Sequence, residues 1–168
     1  MNHSRPELTI LGIDPGSHQT GWGLIGVSGN ELRAVDHGLI RLSKKEPLST
    51  RLLILHQELT AIIERVRPDE AAVESVYMAK NAKSALILGH ARGVILLACA
   101  GGGVIPAEYP ANTIKQAVLG QGGAAATKER VAFMVRAILG LDEIPEPADI
   151  TDALACAICH AHRREVPR

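Results

Sequence analysis

The chain has no surplus of charge, because eighteen basic side chains balance eighteen acidic ones. Net charge therefore points to no partner, and only its distribution is informative. An uninterrupted apolar run long enough to cross a bilayer is also missing: the most hydrophobic stretch, Ser84 to Gly103, is broken by His90 and Arg92. No charged start leads into an apolar signal core. The three cysteines, Cys99, Cys156 and Cys159, are an odd number. These absences predict a soluble protein with no membrane partner, localised to the reducing cytoplasm. Internal repeats and low-complexity tracts are absent too. What is left is a chain sized for one domain, residues 1–168, whose 46% hydrophobic share can build a core without staples. Residues 1–7 and 164–168 are expected to be flexible ends.

Alternation and β-branched residues predict strands near Leu8 to Ile13, Thr20 to Val27 and Leu32 to Ile40. Ser28-Gly29-Asn30 is the turn between the last two, so the three form an antiparallel meander. Leu52, Leu53, Leu55, Leu59, Ile62, Ile63 and Val66 then follow helical spacing, with Ser49 or Thr50 as cap and Pro68 closing the element. Glu70 to Val76 reads as a buried strand, Asn81 to Ala100 as a long helix and Gly103 to Tyr109 as a short strand. Helices follow over Asn112 to Leu119 and Thr127 to Leu139, separated by the link Gly120-Gln121-Gly122-Gly123. A closing helix spans Ala148 to Arg163. The class is α/β, a mixed sheet of five strands flanked by helices with right-handed crossovers.

Four acids sit where a polar residue has little local reason to be. Asp14 ends the apolar run from Leu8, Glu74 follows Ala71-Ala72-Val73, and Asp149 and Asp152 lie three apart at the start of an Ala-rich helix, hence on one face. If the fourth strand returns parallel to the first, Asp14 and Glu74 are neighbours at carboxyl ends of strands, where sites form in such sheets. Taken singly each acid has a plain explanation: Asp149 as a helix N-terminal acid, Asp152 as a solvated first-turn residue, Glu74 as the partner of a basic side chain. Taken together they form an all-oxygen donor set, which favours magnesium or manganese over zinc.

The segments LGIDPGSHQTGWG, AVESVYMAKNAKSALILGHARG and DITDALACAICH, in that order, closely resemble the RuvC family of Holliday junction resolvases. The resemblance runs from about Leu8 to His162. It implies a ribonuclease H-like fold and a homodimeric, metal-dependent endonuclease for recombination and repair. Such an enzyme nicks two opposing strands of a four-way DNA junction and leaves 5′-phosphate and 3′-hydroxyl ends. It also implies the RuvAB branch-migration machinery as a partner. The family's catalytic, metal-holding acids fall on Asp14, Glu74, Asp149 and Asp152, with two Mg²⁺ or Mn²⁺ ions expected per site, about 4 Å apart in two-metal chemistry.

The resemblance places Tyr77, on the loop after Glu74, against the junction. Tyrosine stands where the family often has phenylalanine, so a ring able to stack on unpaired bases is kept. A half-buried loop tyrosine is the plainer alternative. Lys115 and Lys128 match basic family positions near the scissile phosphate. Lys80 and Lys83 are further DNA-binding candidates, with Arg92 and Arg130, although surface cations are commonly just solvated. The helix from Asn81 carries leucine, isoleucine and valine on more than one face. One face would cover the sheet; the other either meets a symmetry mate, with Gly89 and Gly93 allowing close approach, or is simply internal.

Cys156-Ala157-Ile158-Cys159-His160 has the spacing of c-type haem attachment and, with His162, hints at zinc, but small residues on a closing helix are better read as core. Two other functions compete. A phosphotransferase of the actin and sugar-kinase type also uses an aspartate after its first strand, but that fold needs two such halves. A non-catalytic junction-binding module would not require the intact acid quartet.

Overall fold

The computed structural model describes residues 6–75, 81–120 and 127–164. Its strands are β1 (Leu8–Asp14), β2 (Gln19–Ser28), β3 (Glu31–Arg41), β4 (Glu70–Ser75) and β5 (Ala107–Pro110). The helices are α1 (Leu48–Val66), α2 (Ala82–Gly101), α3 (Ala111–Leu119), α4 (Lys128–Leu139) and α5 (Ala148–Arg163). One five-stranded sheet runs in the order β3-β2-β1-β4-β5. β1, β2 and β3 pair antiparallel, whereas β1 with β4 and β4 with β5 are parallel. This is the expected mixed sheet, with the meander at one edge and β1 at its centre.

Alternation along β1 divides the interior. Ile10 packs with α3, α4 and α5 on one side of the sheet, while Leu11 and Ile13 pack with α1 and α2 on the other. The same period of two carries Gly12 and Asp14 to the side of Ile10. In β4 the parity repeats: Ala72 joins the α5 side, Ala71 and Val73 the α1 and α2 side.

Two expectations are corrected, and one alternative is removed. α1 begins at Leu48, capped by Pro47 with no side-chain cap bond, so Ser49 and Thr50 lie inside the first turn. Proline's preset φ and missing N–H suit it to a helix entrance, where donors go unpaired anyway. The strand expected from Gly103 starts only at Ala107, because the chain is still unwinding from α2. The Val104 N–H donates to the Cys99 carbonyl and the Gly103 N–H to that of Ala100, with Gly103 at φ 81°. α2 is also not internal in the single chain. Ala91, Ile95, Ala98 and Cys99 are buried, but Leu86 is 66% and Leu97 62% exposed. α2 has the length and hydropathy of a membrane span, yet its inner stripe belongs to the domain core and its Arg92 bonds Glu108 at 2.6 Å.

Candidate metal centre and nucleic-acid interface

The site forms where β1 and β4 end. Ile13 pairs with Val73 in the parallel ladder, so the following residues, Asp14 and Glu74, leave adjacent strand ends. Asp149 and Asp152 come from the first turns of α5, which crosses the same sheet face. What lets α5 approach so closely is a track of glycines beneath it. A Cβ on Gly21 would stand 2.0 Å from the Asp149 carbonyl oxygen, one on Gly12 2.0 Å from that of Ala153, and one on Gly23 2.5 Å from Leu154 Cδ2. Real Cβ atoms cannot occupy such positions. The bare backbone at these points brings the α5 acids down to the level of Asp14.

Electrostatics register that proximity. Burial, then the charges of Glu74, Asp152 and Asp149, push the Asp14 carboxyl up to about 8, against an opposing pull from Lys128. Burial and Asp152 raise Glu74, opposed by Lys115 and Lys128. Asp152 is raised by burial first and by Asp149, with Lys128 and Lys115 again opposing. Three carboxyls thus resist ionisation for the same reasons, desolvation and mutual repulsion. Lys128 Nζ lies 3.7 Å from Asp152 Oδ2, and a recess lined by Glu74, Lys115, Lys128 and Asp152 runs between α3, α4 and α5.

The four acids do not form a ready-made cage. Among the described residues no three Asp, Glu, His or Cys side chains converge at ligating distance. Asp149 accepts a 2.6 Å hydrogen bond from Gln19 Nε2, and Asp152 is drawn to Lys128. The donor set nonetheless fits a hard divalent cation, with oxygen ligands only and repulsion that a positive ion would relieve.

The remaining candidates separate. Lys115 and Lys128 border the acids. Lys83, exposed in the first turn of α2, is not among the residues lining that recess. Tyr77 and Lys80 lie outside the described residues. Arg130 sits in the first turn of α4, its backbone N–H bonded to the capping Thr127 hydroxyl. Cys156 and Cys159 belong to the core against the sheet, and burial raises both thiols, Cys159 to about 11, which disfavours the thiolate a metal would need. His160 is engaged elsewhere, bonding the Tyr109 hydroxyl at 2.8 Å and the Glu70 carboxylate at 2.8 Å.

Sequence reasoning missed two features here. The glycine track was visible as Gly12, Gly21 and Gly23 at strand spacing, but only the position of α5 gives it meaning. Gln19 carried no signal, because its partner lies 130 residues away.

The chain matches the family model described as crossover junction endodeoxyribonuclease RuvC over residues 10–160. Among curated proteins, the RuvC crossover junction endodeoxyribonuclease of Desulforamulus reducens is 47% identical over 154 residues, covering 92% of this chain and 93% of that protein. The one from Caulobacter vibrioides is 45% identical over 168 residues, covering 100% and 98%. Among solved structures, Thermus thermophilus RuvC in complex with a Holliday junction substrate superposes with a TM-score of 0.83 at 34% identity, covering 92% of this chain and 94% of that one. The yeast mitochondrial Holliday junction resolvase Ydc2, at 14% identity and a TM-score of 0.63, shares the fold. From its ribonuclease H-like sheet and from relatives aligned along almost its whole length, this chain belongs to the RuvC family of crossover junction endodeoxyribonucleases.

Proposed function

We propose that the protein resolves Holliday junctions in recombination and repair, cutting opposing strands symmetrically by phosphodiester hydrolysis to leave 5′-phosphate and 3′-hydroxyl ends. The observation that carries this reading is the placement of Asp14 and Glu74 at adjacent strand ends beneath the start of α5 and its two acids, with Lys115 and Lys128 beside them. Asp14, Glu74, Asp149 and Asp152 would hold Mg²⁺ or Mn²⁺, two ions per site. Bound there, the cations supply an activated water and positive charge opposite the departing oxygen. Lys115 and Lys128 hold phosphate oxygens and favour ionisation of the surrounding carboxyls, since their charge opposes the repulsion among the acids. Tyr77, Lys80 and Lys83 complete the DNA contacts, with Tyr77 stacking at the crossover.

Two symmetric cuts call for two sites, and the protein acts as a homodimer. The uncovered face of α2 supports this. Leu52, Leu86, Gly89, Gly93, Val94 and Leu97 form an apolar groove, and a Cβ on Gly89 or Gly93 meets nothing within 4 Å, so a second helix has room to approach. The protein works in the cytoplasm as one domain alongside the RuvAB branch-migration complex.

The test is incubation of synthetic four-way junctions with protein and Mg²⁺ or Mn²⁺. Paired, ligatable nicks are expected. Glu74→Gln should bind junctions without cutting them, because phosphate contacts survive while the metal ligand is lost. Normal cutting by that variant would overturn the assignment of Glu74.

A further inference from the structure

Asp149 has neighbours unlike those of the other acids. It stands in the first turn of α5, whose N-cap is Pro147 with no side-chain cap bond. Instead Gln19 Nε2 donates to Asp149 Oδ2 at 2.6 Å across a half-buried gap. An amide donor of this kind orients a carboxylate without cancelling its charge, whereas Lys128 offsets the charge of Asp152. The bond engages one oxygen of Asp149, Oδ2.

Gln19 is itself on a braced platform. Its backbone opens β2 and pairs with Arg41 of β3. The preceding turn is tied from three directions. Arg51, a buried residue in the first turn of α1, donates from Nη1 to the Ser17 carbonyl at 2.8 Å and lies 3.0 Å from His18 Nδ1. The Leu42 N–H donates to the His18 carbonyl at 2.8 Å. The Gly16 N–H reaches the Thr20 hydroxyl at 3.4 Å. This turn joins Asp14 to Gln19, so one rigid hairpin tip places a strand-end acid directly and a helix acid through its partner.

We infer that Gln19 is a positioning residue for Asp149, presetting that carboxylate for cation binding from outside the ligand set. The inference rests on the reading of the four acids as a metal site. Partners that hydrogen-bond metal ligands commonly change affinity about 10- to 100-fold when removed. Gln19→Met keeps length and bulk and deletes the donor.

The experiment measures Mn²⁺ affinity without DNA, by electron paramagnetic resonance on the full chain, for wild type, Asp14→Asn, Gln19→Met, Asp149→Asn and the last two combined. Gln19→Met should weaken binding about tenfold, and should add nothing once Asp149 is asparagine, because its effect runs through that carboxylate. Unchanged or tighter binding by Gln19→Met overturns the inference, as does an equal loss in the Asp149→Asn background. Equal binding by wild type and Asp14→Asn would overturn the metal-site reading itself, and the inference with it.

Discussion

Gly21 lies directly under Asp149, so close that a Cβ on Gly21 would stand 2.0 Å from the Asp149 carbonyl oxygen. A strand residue and a helix residue far apart in sequence thus share one space, and the absent side chain of the first sets the height of the second. Because the obstacle is backbone, no rotamer change relieves it. Gly21→Ala must lift the start of α5 or bend β2, and overpacking of this kind typically costs about 1–3 kcal/mol. The expected result is a lower melting temperature together with a loss of metal-dependent cleavage larger than the stability loss explains. Thermal melts and cleavage assays on the same preparation check it. Full activity at wild-type stability would show that α5 needs no such close approach.

Asp14 should make the metal-free protein weaker as pH rises. Its folded carboxyl is raised from the ordinary value of 3.8 to about 8, so between those values the native state binds more protons than the unfolded chain, and stability falls across that window. Asp14→Asn removes that dependence. In EDTA the variant should match wild type near pH 4 and exceed it near pH 8, by roughly 2–4 °C in melting temperature for each kcal/mol relieved in a chain of this size. Magnesium should reverse the order by stabilising wild type more than the variant. Melts across pH with and without metal test both halves. A variant less stable at pH 8 in EDTA would contradict the burial and repulsion assigned to Asp14.

Lys128 lowers the proton affinity of Asp14, Glu74 and Asp152 alike. Removing its charge with Lys128→Ala leaves those carboxyls protonated to higher pH. The pH–rate profile of cleavage should therefore move in the alkaline direction, with a loss greater at neutral pH than at pH 9. Lys128→Arg keeps the charge and should keep the profile. A uniform loss at every pH would instead assign Lys128 to phosphate contact alone.

Residues with local signals were legible in the sequence, and those defined by remote partners were not. Alternation in β1 identified the strand, with Asp14 at its end. The three-residue spacing of Asp149 and Asp152 placed them together on α5. By contrast the late start of β5 depends on Val104 still bonding back into α2, a competition between helix and strand that composition does not reveal. Pro47 displaced the expected Ser49 or Thr50 cap because helix starts are decided by which residue preorganises the entrance. Gln19 and Glu70 look like ordinary surface residues in the sequence. Only the fold brings Gln19 to Asp149, and Glu70 to His160 and the Arg164 guanidinium, the latter at 2.9 Å. The ladder of β1 with β4 turned two separate strand-end acids into neighbours.

The uncovered face of α2 should decide the oligomeric state. Leu86 and Leu97 are both more than half exposed and border a groove that includes Gly89 and Gly93, while the opposite stripe of the helix is core. An exposed apolar surface of this kind on a well-packed domain marks an interaction site. Leu86→Glu places a charge there without touching the buried stripe, so folding should survive while self-association is weakened. Sedimentation analysis is expected to show a dimer for wild type and a monomer for the variant at the same concentration. With one site per particle, the variant should nick junction strands singly and leave them mostly unresolved, although its four acids are intact. A variant that stays dimeric and cuts in pairs would place the dimer contact elsewhere on the molecule.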